Sequence, residues 1–154
     1  MKAIITQFYT AFAELNAEKM TSCYHQDVVF EDPAFGQLKG ERASNMWRMF
    51  CKSQKEKNFI VTYSDIQSDG KAGSAHWEAQ YEFSQTGRKV HNRINAQFEF
   101  KDGLIIKHTD DFNLHSWAKQ ALGFKGYLLG KTSFFQKKLQ VQTNSLLNKF
   151  ENSL

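Results

Sequence analysis

Apolar residues near the start of the chain recur at helical spacing. Ile4, Ile5, Phe8, Phe12 and Leu15 predict an amphipathic helix over 3–15. Asn16 is placed to cap a short second helix over 17–25, with Met20 and Tyr24 on its inner side. Val28, Val29 and Phe30 then read as a short strand, closed by Asp32-Pro33, because the residue before proline is pushed out of the α region. Gly40 precedes a third helix over 41–53, whose apolar side is Met46, Trp47, Met49 and Phe50.

From residue 58 the period changes to two. Strands are expected over 58–68, 72–84, 89–101 and 104–114, with turns at Asp69-Gly70, Thr86-Gly87 and Asp102-Gly103. The last three form an antiparallel meander. A short helix over 115–122 ends at Gly123, and 123–130 reads as a glycine-punctuated loop. A final helix over 132–150 carries the stripe Phe135, Leu139, Leu146 and Phe150. The sum is an α+β fold of two layers, a strongly bent, mainly antiparallel sheet wrapped round its helices with a cavity at the open end. Residues 1–122 make up the domain proper. Residues 123–154 extend it, with the final helix packed on the same domain or on a dimer partner.

Alternation assigns the strand faces. Ala75, Trp77, Ala79, Tyr81 and Phe83 share one side; so do Val90, Asn92, Ile94, Ala96, Phe98 and Phe100; so do Ile106, His108, Asp110 and Phe112. These apolar faces should line the interior, with Trp77, Phe98 and Phe112 forming walls of a cavity. The polar exceptions carry the candidate chemistry. Asn92, His108 and Asp110 sit among Phe, Ile, Val and Ala, and a carboxyl held in an apolar pocket titrates in a range useful for proton transfer. His108 and Asp110 point the same way, either to couple with each other or to touch one ligand; a His–Asp pair also serves simply to tie sheet to loop. A one-residue bulge would exchange Asp110 for Asp111. Asp32 follows Val28 and Phe30 in alternation, so it faces inward unless it is spent on a turn with Pro33. Tyr9 and Tyr24 either supply phenol donors or pack in the core with one satisfied hydroxyl.

Composition changes this picture little. The 154 residues are 41% hydrophobic and 23% charged, enough for one full core. The net charge of +4 is scattered, and no run of five like charges offers a phosphate-tracking groove, so nucleic acid is not an expected partner. Cys23 and Cys51 lie apart in apolar helical contexts, as free buried thiols of a reducing compartment. No stretch of eighteen apolar residues spans a membrane, and Gln7, Thr10 and Glu14 break the signal-like start, so a cytoplasmic location is expected. Lys131, Lys137 and Lys138 suggest membrane-surface attachment only weakly, and no membrane partner is expected. His25, His76, His91, His108 and His115 show no zinc-binding spacing, and no phosphate-binding glycine loop or nucleophile elbow occurs. No metal or organic cofactor is expected.

Val28-Val29-Phe30-Glu31-Asp32-Pro33 before the third helix, with Lys107-His108-Thr109-Asp110 late in the sheet, resembles the SnoaL-like branch of the nuclear transport factor 2-like superfamily, over roughly residues 2–122. That superfamily includes polyketide cyclases, ketosteroid isomerases and limonene epoxide hydrolases. The resemblance implies a conical fold with a deep pocket. It puts Asp32 at the isomerases' general base and Asp110 at the cyclases' acid/base position. The isomerases' oxyanion Asp falls at Ala96, which donates no proton. Arg93, which an epoxide hydrolase would need inside, should face outward. The expectation is an acid/base enzyme of isomerase or cyclase type acting on an apolar, carbonyl-bearing molecule, with Asp110, His108 and Asp32 catalytic. Asn92, Trp77, Tyr9, Tyr24, Phe98 and Phe112 would contact the substrate. The alternative is a non-catalytic ligand-binding or protein-interaction module. A homodimer through the outer sheet face is also expected. Glu78, Glu82 and Glu99 are interspersed there with Arg93, His76, His91 and Lys107, which a two-fold axis makes self-complementary.

Overall fold

The helical spacing of the first residues produces α1 (Lys2–Ala13), which buries Ile5, Phe8, Tyr9, Ala11 and Phe12. The computed structural model describes all 154 residues. α2 (Ala17–Thr21) starts at Asn16, whose side chain accepts from the Lys19 amide at 3.1 Å. β1 (Tyr24–Asp32) follows, then β2 (Gly36–Lys39) and α3 (Glu41–Gln54). The meander is β3 (Ile60–Ser68), β4 (Ala72–Glu82), β5 (Lys89–Lys101) and β6 (Leu104–Asp111). α4 (Leu114–Leu122), α5 (Phe124–Leu129) and α6 (Ser133–Asn152) complete the chain. No helix is long and apolar enough to cross a membrane.

The six strands form one curved sheet in the order β2-β1-β6-β5-β4-β3. All neighbours are antiparallel except β1 and β6, which run parallel with Phe30 opposite His108. The result is the expected cone of sheet around the N-terminal helices. Its core is aromatic: Phe12 stands edge-on to Trp47 of α3 at 5.1 Å and to Trp77 of β4 at 5.3 Å.

Four details differ from the sequence reading. β1 is longer than Val28–Phe30, because its Tyr24 end also joins the sheet, opposite Ile105 of β6. β2 was not expected at all. Its four residues carry one apolar side chain, Leu38, too short a pattern to show a period, and it exists because β1 offers an edge to pair with. In β6 an irregularity next to Phe100 leaves Ile106 without a partner, so Ile105, fully buried, takes the inner place expected for Ile106. Register is continuous from Lys107 onward, which puts Asp110 inside and Asp111 outside. Finally, 124–129 is helical rather than loop. Gly126 is there for close approach, not for a turn: a Cβ on it would overlap the Ala118 carbonyl oxygen of α4.

Candidate functional site

A cavity of about 420 Å³ opens between the inner face of the sheet, α3 and α6. That lies within the range of small-molecule sites, roughly 300–1,000 Å³. Trp47, Trp77, Tyr81 and Phe112 supply much of its apolar wall. α6 supplies another side through Leu139, Gln142, Thr143 and Leu146. Side-chain hydrogen bonds fix that helix over the turn after β1. Gln136 and Gln140 donate to the Pro33 carbonyl, Thr143 to that of Ala34 and Asn144 to that of Phe35. At its far end Glu151 accepts from Arg42 and, at 2.9 Å, from Asn45, both on α3.

Asp110 sits on the cavity wall at the end of a buried chain of hydrogen bonds. Trp47 Nε1 donates to the Tyr24 hydroxyl at 2.8 Å. Indole N–H is a donor only, so the Tyr24 oxygen accepts there; with its own proton given to His108 Nδ1, 2.7 Å away, every polar side-chain atom of Trp47, Tyr24 and His108 is paired. Burial holds the Tyr24 phenol well above its usual pKa, which keeps that proton in place. Nδ1 of His108 is therefore an acceptor, and Nε2 carries the ring proton and donates to Asp110 Oδ1 at 2.9 Å. Trp77 Nε1 donates to the same oxygen at 3.2 Å. Oδ2 makes no hydrogen bond within the protein and is left open to the cavity.

Asp32 is held differently. Its Oδ1 accepts from the amides of Ala34 at 2.9 Å and Phe35 at 2.7 Å, closing the turn between β1 and β2. Turn-making and facing inward are thus compatible: one oxygen does the first, and Oδ2, without a protein partner, remains on the cavity side. Asp32 keeps some surface and lines the cavity. Burial pushes its carboxyl up to about 7, the Asp110 carboxyl adding to the effect and the two amide hydrogen bonds opposing it.

Asp110, Asp32, Asn92, Trp77 and Phe112 all line the cavity. His108, Tyr24, Tyr9 and Phe98 do not; they lie fully packed behind its wall. Alternation placed His108 and Phe98 inside correctly, but helix α1 covers that end of the sheet; Tyr24, expected on the second helix, instead opens β1, because α2 ends at Thr21. Phe8 stands 5.4 Å from His108 and Tyr9 6.3 Å from Phe98. His108 therefore reaches the cavity through its hydrogen bond to Asp110, Tyr24 touches its wall only through Trp47 and His108, and the Tyr9 hydroxyl has no partner at all. Sequence reasoning missed Gln142 and Thr143, because nothing in the apolar stripe of α6 said that its flank would meet a ligand site. It also missed Gln54, at the end of α3, whose Oε1 is buried without a partner beside the cavity. No Lys or Arg lines the cavity, whereas Asp32, Glu82 and Asp110 do. Arg93 points out, its side chain 64% exposed. Both cysteines are buried thiols whose pKa burial raises to about 11.

Several solved structures share this architecture. An LEH-like epoxide hydrolase of M. tuberculosis is 21% identical with a TM-score of 0.61, over 86% of this chain and 92% of that one. A putative polyketide cyclase of Xanthomonas campestris is 20% identical with a TM-score of 0.62, over 77% and 93%. A putative isomerase of Bacillus subtilis is 18% identical with a TM-score of 0.61, over 79% and 91%. At such identities the likeness is one of fold. No curated protein matches the chain. The SnoaL-like domain model matches residues 5–108, ending two residues short of Asp110 and before α4, α5 and α6. With two thirds of its length inside that match and the conical sheet around it, the chain belongs to the SnoaL-like domain family.

Proposed function

We propose that the protein binds an apolar small molecule in this cavity and transfers a proton on it, without metal or organic cofactor. The observation that carries the reading is the pair of carboxyl oxygens, Oδ2 of Asp32 and Oδ2 of Asp110, open onto one largely aromatic chamber. Asp110 is the acid/base that meets the substrate, with Oδ1 held by His108 and Trp77 so that Oδ2 keeps one direction. Asp32, titrating near 7, both gives and takes a proton at neutral pH. Asn92 adds a polar contact. The chemistry is removal of a proton beside a carbonyl by one carboxyl in its ionised form and delivery of a second proton elsewhere by the other in its protonated form, with both reset by proton exchange with water, as in isomerisation or aldol cyclisation. Because only acidic groups carry charge in the lining, the ligand is neutral or cationic rather than an acid.

The test separates catalysis from binding. Apolar ketones that raise the thermal midpoint are incubated with the protein in D2O, and exchange of their α-protons is followed by NMR. Exchange that Asp110→Asn abolishes while the thermal shift persists supports the enzyme. A thermal shift without exchange in the wild type points to the non-catalytic ligand-binding module.

A further inference from the structure

α5 turns its small residues inward and its large ones outward. Gly126 and Gly130 are buried against α4, whereas Phe124, Tyr127 and Leu128, one face of the helix, are 74%, 58% and 57% exposed. The Phe124 and Tyr127 rings stack at 6.5 Å. On α6, Phe134 and Val141 are 68% and 71% exposed and share a face with Lys137 and Lys138. Soluble surfaces carry single exposed apolar residues freely, but three large apolar side chains on one face of a six-residue helix mark a contact.

The charge around it says with what. Between Phe112 and Phe150 the chain has six lysines and neither Asp nor Glu, so the whole net charge of +4 originates there. Lys119, Lys125, Lys131, Lys137 and Lys138 are all exposed. Arg88 lies against Gly123, at the start of α5. A second copy of the chain is a poor occupant. A two-fold contact would bring these lysines together with no acid of the segment to meet them. An anionic lipid surface satisfies both features at once, taking aromatic and aliphatic side chains at its headgroup–acyl boundary and lysines among its phosphates.

We propose that α5 and the exposed face of α6 form a peripheral docking surface for anionic membranes. The lysines by themselves do not predict a membrane partner; the outward apolar face of α5 beside them is what points to one. Docking is superficial, because α5 is only six residues long.

The experiment is co-sedimentation of the full chain with vesicles of phosphatidylcholine alone and of phosphatidylcholine with phosphatidylglycerol, at about 0.15 M salt. Binding is expected only to the second. Phe124→Ser with Leu128→Ser, and separately Lys125→Glu with Lys131→Glu, should each weaken it by at least about tenfold. All four positions are exposed, and an unchanged thermal midpoint verifies that the variants fold. No binding to anionic vesicles, or binding that both variants retain, overturns the proposal. So does a wild-type dimer that the serine variant dissociates while vesicles bind neither form, since the face would then be an interface between copies.

Discussion

His108 donates from Nε2 to Asp110 Oδ1 across 2.9 Å while its Nδ1 accepts from Tyr24. Trp47, at the head of the chain, has only a proton to give, and this direction is the one in which the Tyr24 proton also finds an acceptor. Each of the linking groups is thereby satisfied in one arrangement, which is the condition for a buried polar network to stabilise a core.

Tyr24→Phe removes the central link. It leaves Trp47 Nε1 and His108 Nδ1 buried without partners, at about 1–3 kcal/mol each. A loss of about 2–4 kcal/mol is expected in urea unfolding. A loss under about 0.5 kcal/mol would show that the chain contributes little.

Asp32 makes stability depend on pH in an unusual sense. Its carboxyl rises from the usual 3.8 to about 7 in the folded state. Between those values the folded protein holds a proton that the unfolded chain has released, so this group's effect is to lower stability as pH increases. The deficit is complete above about 7. Asp32→Asn keeps Oδ1 for the turn and removes the charge. Its thermal midpoint should match the wild type near pH 4 and exceed it by several degrees at about pH 8, at roughly 2–4 °C per kcal/mol. Equal midpoints at both ends would refute the shift.

Glu151 ties the end of α6 to α3 through Arg42 and Asn45. Glu151→Ala leaves the buried Asn45 amide without an acceptor and Arg42 with only its contacts to Asn144, costing about 1–3 kcal/mol. Because Leu139, Gln142 and Leu146 of α6 line the cavity, ligand affinity should fall with it. Hydrogen exchange should quicken along α6 while β4 and β5 are unchanged. Uniform quickening across all elements would contradict a local role.

We propose that the outer sheet face forms a homodimer. Glu78 is the centre of its charge pattern, accepting from His76 and His91 at 2.7 Å each, with Arg93 Nε at 3.5 Å. Arg93 keeps most of its side chain in solvent, free for a partner. Equilibrium sedimentation should show a dimer that Arg93→Glu weakens by at least about tenfold, as like charges meet across the interface. A wild-type monomer at high micromolar concentration would falsify the dimer.

Periodicity alone made most of this fold legible. The change from helical to two-residue spacing at 58 and the Asp-Gly turns specified the meander, because those signals are local. Alternation also identified Asp110, His108 and Asn92 as the inward polar residues of the sheet. What it could not separate was a cavity wall from a packed interior. Both are apolar, and the difference is only that α1 packs directly on His108 and Phe98, whereas Asp110 faces the space left between the sheet, α3 and α6.

The tertiary structure decided the site itself. β1 and β6 pair in parallel although some eighty residues part them, an order that no local pattern encodes. Phe30 lies opposite His108, so Asp32 and Asp110, each two residues further on, reach the same face side by side. Without that pairing each carboxyl would be a solitary polar residue on its own strand. With it they share a chamber, and the field of one helps raise the pKa of the other.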